Sequence, residues 1–139
     1  MPFPRIDTCI ICEGVRREIN NKHTLLGYFG IAPYVQVSLG NLEAPAVLCF
    51  VFSGGSGEPG LYDLSIRLTG PTGGIVSNPQ NAPDIKGVSV TSAPLTNIFF
   101  FFYGVLSQPG RYEVALLVGG VQHYTTTIGI GLAPKGTLQ

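Results

Sequence analysis

Charge is scarce in this sequence: 12% of its 139 residues are Asp, Glu, Lys or Arg, about half the usual share for a soluble domain. Eight basic and eight acidic residues cancel to a net charge of zero. Phosphate binding needs clustered Lys and Arg, and the one such pair, Arg16-Arg17, is flanked by Glu13 and Glu18. No nucleic-acid partner is therefore expected. With little self-repulsion to keep copies apart, a homo-oligomer or a protein partner is expected instead. Long apolar runs are also missing. Runs such as Ile98 to Tyr103 and Val114 to Val118 fall far short of a bilayer span, so no membrane partner is expected. Met1 to Arg5 have no long apolar core of a secretory signal, and cytoplasmic localisation is the expectation. The three cysteines cannot all pair within one chain, and a chain of this length does not need stapling.

What the sequence does have is turn punctuation. Nineteen glycines and eleven prolines stand between apolar runs, as turns do between strands. Strands are predicted over Ile6 to Cys12, His23 to Phe29, Tyr34 to Ser38, Ala46 to Ser53, Leu61 to Thr69, Val88 to Thr91, Asn97 to Tyr103, Arg111 to Val118 and Val121 to Ile128. The last two read as a hairpin about Gly119-Gly120. In Leu61 to Thr69, Tyr62, Leu64, Ile66 and Leu68 share one face, and Asp63, Ser65 and Arg67 the other. No helix of three turns is predicted. Residues 1–139 read as one all-β domain.

A weak internal repeat supports this map. Glu58-Pro59-Gly60-Leu61-Tyr62-Asp63-Leu64 matches Gln108-Pro109-Gly110-Arg111-Tyr112-Glu113-Val114, and Phe50 and Phe52 stand at the same offset from Phe100 and Phe102. Two related hairpins suit a sandwich of two facing sheets. An early Tyr in such a strand can bury its ring while its hydroxyl bonds back to the backbone at the corner. A ligand platform built on Tyr62 and Tyr112 is the competing role, and their alternation with Leu, Ile and Val favours the core.

The apparent chemical motifs lose their meaning when placed on strands. Cys9-Ile10-Ile11-Cys12 has metal-knuckle spacing, but a knuckle needs a tight turn, and an odd separation on a strand sends the two thiols to opposite faces. His23, His123 and Cys49 show no ligand spacing. Gly55-Ser56-Gly57-Glu58-Pro59-Gly60 is a literal GxGxxG, but a strand is predicted after it where phosphate binding needs a helix N-terminus. Ser56 lacks the full nucleophile elbow because Glu58 stands where its last Gly belongs. Asp63 and Glu113 are expected to face outward. No catalytic, cofactor or metal residue is predicted, and the chain is not expected to be an enzyme.

The run Ile98-Phe99-Phe100-Phe101-Phe102-Tyr103 is the most unusual feature. Alternation places Ile98, Phe100 and Phe102 on one face and Phe99, Phe101 and Tyr103 on the other. A sandwich strand normally has one wet face, so the second stripe is either an association surface or is covered by a loop, such as the stretch from Gly70 to Gly87. Ala115 and Leu117, opposite the Tyr112 face of a later strand, are expected to extend the same patch.

The segment Cys12-Glu13-Gly14-Val15-Arg16-Arg17-Glu18, then Lys22, then Leu25-Leu26-Gly27-Tyr28-Phe29 resembles the N-terminal part of an uncharacterised bacterial family of domains of unknown function. The later Pro109-Gly110-x-Tyr112 and its alternating strand also fit, although Gly14 stands where that family has a more polar residue. The resemblance implies an immunoglobulin-like, two-sheet β-sandwich of about seven to nine strands and supplies no activity. Arg16, Glu18 and Lys22 match its polar positions, either as a polar site or as groups that close the first hairpin. The sequence thus predicts a binding or scaffolding sandwich that self-associates or docks on a protein partner. A small-molecule or carbohydrate-binding module is the alternative, and a hydrolase or metal enzyme the third reading.

Overall fold

The computed structural model describes residues 5–19, 22–55, 60–76, 84–90 and 96–133. Among them the chain forms twelve strands and no α-helix. These are β1 Ile6–Cys12, β2 Gly14–Arg17, β3 His23–Leu26, β4 Gly30–Ile31, β5 Gln36–Leu39, β6 Pro45–Gly54, β7 Gly60–Thr69, β8 Ile75–Val76, β9 Asp84–Val90, β10 Thr96–Val105, β11 Gly110–Val118 and β12 Val121–Leu132. A four-stranded sheet runs β10-β6-β1-β4. A six-stranded sheet runs β5-β12-β11-β7-β8, with β9 also paired to β7, and β2 and β3 form a separate hairpin.

Strict alternation gives each sheet an inner face, and both inner faces build one core. From the four-stranded sheet come Cys9 and Ile11, Leu48, Phe50 and Phe52, and Ile98, Phe100 and Phe102. The six-stranded sheet answers with Leu64 and Leu68, Tyr112, Val114 and Leu116, and Ile128 and Ile130. Phe52 stands edge-on to both Phe100, at 5.8 Å, and Tyr124 of the facing sheet, at 6.0 Å. Such edge-to-face pairs add to the apolar burial.

Turn chemistry sets the registers. The β11–β12 hairpin turns on Gly119 and Gly120, whose φ values of 58° and 82° are those of a two-residue primed turn. Gly54, at the end of β6, lies directly against the backbone carbonyl of Arg5, so only a residue without Cβ lets β1 and β6 close there. Tyr112 is buried, and its hydroxyl donates to the Gln108 carbonyl at 2.7 Å. The second Pro-Gly-x-Tyr unit is therefore a closed corner. In the first unit, Glu58 and Pro59 lie outside the described residues, and Tyr62 packs half-buried against the core.

Two expectations change in detail. The strand predicted from His23 ends at Leu26, and Gly14–Arg17 joins it as the β2–β3 hairpin. The strand predicted from Tyr34 begins at Gln36 and pairs in parallel with β12. Of the GxGxxG, Ser56 to Pro59 lie outside the described residues; a strand, β7, begins at Gly60.

Candidate functional site

The outer face of the four-stranded sheet carries the aromatic stripe, and the register resolves it into rungs. Thr8, Ser53 and Asn97 form a polar first rung, with Ser53 Oγ donating to Asn97 Oδ1 at 2.6 Å. Ile10, Val51 and Phe99 form the second, and Cys12, Cys49 and Phe101 the third. Here β1 ends. Val47 with Tyr103 and Pro45 with Val105 complete the face on two strands only.

The β2–β3 hairpin folds back over the upper rungs. Val15 and Leu25 pack on Cys12, Cys49 and Val51, as do Ile10 and Phe99, and the His23 ring lies 4.9 Å from that of Phe99. Val51 is left 4% exposed by this cover. Beyond it the face is bare: Phe101 is 54% exposed, Val47 48%, Tyr103 45% and Val105 41%. Among the described residues, cover of the stripe comes from the hairpin that follows β1; residues 77–83 of the Gly70 to Gly87 stretch lie outside them. Among the described residues β10 pairs with β6 alone, so its far edge is a ten-residue row of unpaired backbone groups. No residue of β10 is charged.

Phe99, Phe101 and Tyr103 thus share one outer face, with Phe99 under the hairpin and the other two exposed. Ala115 and Leu117 do not extend that patch. Both lie on β11 in the other sheet and are buried. The chain crosses from one sheet to the other between β10 and β11, so strands consecutive in sequence are not neighbours in space. On its own outer face Ala115 stands between Arg67 and Thr125, and Leu117 is paired with Ser65 and Gln122.

Arg16, Glu18 and Lys22 close the hairpin. Arg16 Nε and Thr24 Oγ1 both donate to Glu18 Oε2, at 2.8 and 2.7 Å, and the Glu18 N–H donates to the Lys22 carbonyl at 2.7 Å. These two donors, the Thr24 hydroxyl foremost, hold the Glu18 carboxyl below its ordinary value.

Cys9 and Cys12 do point to opposite faces, Cys9 into the common core and Cys12 under the hairpin. What spacing could not show is that Cys12 lies directly opposite Cys49. The two residues face each other across the strands, and Cys12 Sγ donates to the Gly14 carbonyl at 3.4 Å. Burial pushes Cys9 and Cys49 up to about 12 and raises Cys12 as well. Among the described residues no three His, Cys, Asp or Glu side chains gather as a metal site would require.

Two shallow depressions lie along the six-stranded sheet. Asp63, Ser65, Arg67 and Gly120 line one, and Gln36, Arg111 and Thr127 lie in the other. Neither has an aromatic ring among its lining residues, so neither offers a sugar a stacking platform. No helix among the described residues is long and apolar enough to cross a membrane.

No protein-family model matches the chain, and no curated protein matches it. Among solved structures it is similar to the Pseudomonas fluorescens alkylpurine DNA glycosylase AlkC bound to DNA containing an abasic site analog, at 17% identity and a TM-score of 0.44. The match covers 72% of this chain and 28% of that one, so this chain spans under a third of the glycosylase. The expectation of no nucleic acid, drawn from sparse and balanced charge, is at odds with the DNA bound in this neighbour and is not carried further. A likeness this distant transfers neither a binding mode nor an activity.

Proposed function

We propose that the chain is a non-enzymatic scaffolding domain, an immunoglobulin-like sandwich, that associates with a second copy of itself through β10. The observation that carries this reading is the bare strip of Val47, Phe101, Tyr103 and Val105 beside an open strand edge. An uncharged, unpaired edge is a template for a further strand, and a two-fold axis makes one patch its own complement. Antiparallel pairing of two β10 strands centred on Phe101 sets the two Phe101 side chains side by side and Phe99 beside the partner's Tyr103. The nine residues 97–105 at about 3.3 Å each give a contact line of about 30 Å. The zero net charge opposes no such approach.

The immunoglobulin-like assignment draws support from two facing sheets with one core and from the Tyr112 corner. A cytoplasmic location fits three cysteines that all stand as free thiols. Sedimentation of the purified chain tests the association. A dimer at micromolar concentration that becomes a folded monomer with Phe101→Asp is expected. A wild-type protein that stays monomeric at high micromolar concentration, with Phe101→Asp behaving identically, would falsify the reading.

A further inference from the structure

We propose that Cys12 and Cys49 are an oxidisable dithiol, a modification site under the β2–β3 hairpin where hydrogen peroxide converts the pair into a cross-strand disulfide. The inference rests on sheet register and on the hairpin, and is independent of how the chain associates. Residues directly opposite on antiparallel strands have Cα atoms about 4.5–5.5 Å apart, inside the range of about 4.4–6.8 Å that a disulfide spans. The sheet also selects this pair among three cysteines. Cys9 faces the common core, and its cross-strand partner is Phe52.

Cys12 ends β1, where the hairpin begins, whereas Cys49 lies inside β6 between two strands. Cys12 is thus the first to react, as a thiolate. Its sulfur attacks peroxide: an S–O bond forms, the O–O bond breaks, and the departing hydroxide leaves as water with the thiol proton. The Cys49 sulfur then attacks the Cys12 sulfenic sulfur. An S–S bond forms, the S–O bond breaks, and a second water leaves with the Cys49 proton. Two thiols have lost two electrons and two protons, and one peroxide has become two waters.

With the hairpin closed, both sulfurs are fully buried beneath Val15 and Leu25, and raised pKa values keep them protonated at neutral pH. Reaction therefore proceeds from the form in which the hairpin has lifted, and its rate reports that local opening.

Exposure of the full-length chain to hydrogen peroxide, followed by alkylation in denaturant and mass spectrometry, tests the proposal. The expected product has lost two hydrogens, retains Cys9 as its alkylatable thiol, and yields a peptide joining Cys12 to Cys49. Cys9→Ser reacts in the same way, Cys12→Ser and Cys49→Ser form no internal disulfide, and Leu25→Ala reacts about tenfold faster. Three alkylatable thiols in peroxide-treated Leu25→Ala, a link through Cys9, or a link between chains would each overturn it.

Discussion

On the outer face of the six-stranded sheet, β11 sets Glu113, Ala115 and Leu117 among Thr69, Arg67, Ser65, Thr127, Thr125 and Gln122. On the outer face of the four-stranded sheet, β6 sets Val47, Cys49 and Val51 among Ile10, Cys12, Phe99, Phe101 and Tyr103. On the first, polar neighbours surround Ala115 and Leu117, which are nonetheless buried. The second is built like a core, and the β2–β3 hairpin covers part of it. The same strand thus carries Val51 in a satellite core and Val47 in solvent, four residues apart on one face. What separates the two environments is where β1 ends.

Charge placed at these two valines is the sharpest way to break the comparison. Val51→Asp strands a carboxylate among Ile10, Leu25 and Phe99, and is expected to cost about 3–5 kcal/mol, read as a lower denaturant midpoint. Leu25→Ala removes cover without adding charge and is expected to cost about 1–2 kcal/mol, because Leu25 is only partly buried. Faster amide exchange across residues 14–26, with the rest of the chain unchanged, is its signature. Val47→Asp stays within about 0.5 kcal/mol of wild type in stability and weakens self-association in sedimentation. If Val47→Asp proved as destabilising as Val51→Asp, the lower rungs would be covered in solution.

Acid has the smallest effect. The Glu18 carboxyl is held low in the folded hairpin by Thr24 and Arg16, so its contribution is present above the ordinary carboxylate value of 4.5. That contribution is lost as pH falls through the lower folded value. Protection of the β2–β3 hairpin amides, taken relative to their intrinsic exchange rates, should therefore fall on acidification below that range, and Glu18→Gln should flatten the response.

Local patterns were legible wherever the physics was local. Alternation placed Phe100 inside and Phe101 outside, and Gly119-Gly120 marked the last hairpin. Tyr112 behaves as its place after a Pro-Gly turn implies. The failures share one cause, which is that pairing over long range leaves no mark in a window of sequence. Cys12 and Cys49 are partners through register alone. Their place opposite the Tyr112 face assigns Ala115 and Leu117 to the Phe stripe, yet the chain changes sheets between β10 and β11. The short β2 was missed because Gly14-Val15-Arg16-Arg17 shows little apolar alternation. Its role as cover depends on the sheet beneath it.

The placement of β6 between β1 and β10 also bears on how the chain reaches this state. Both partners of β6 lie roughly forty to sixty residues away in sequence, so no local hairpin can shelter Phe50 and Phe52 early. Contacts of such span place folding in the roughly millisecond-to-second regime, since loop-closure entropy is lost before the long-range contacts offset it. During synthesis the most apolar strand of the protein waits for residues 96–105 to emerge before its second edge is filled, and in that interval the nascent chain is most exposed to mispairing.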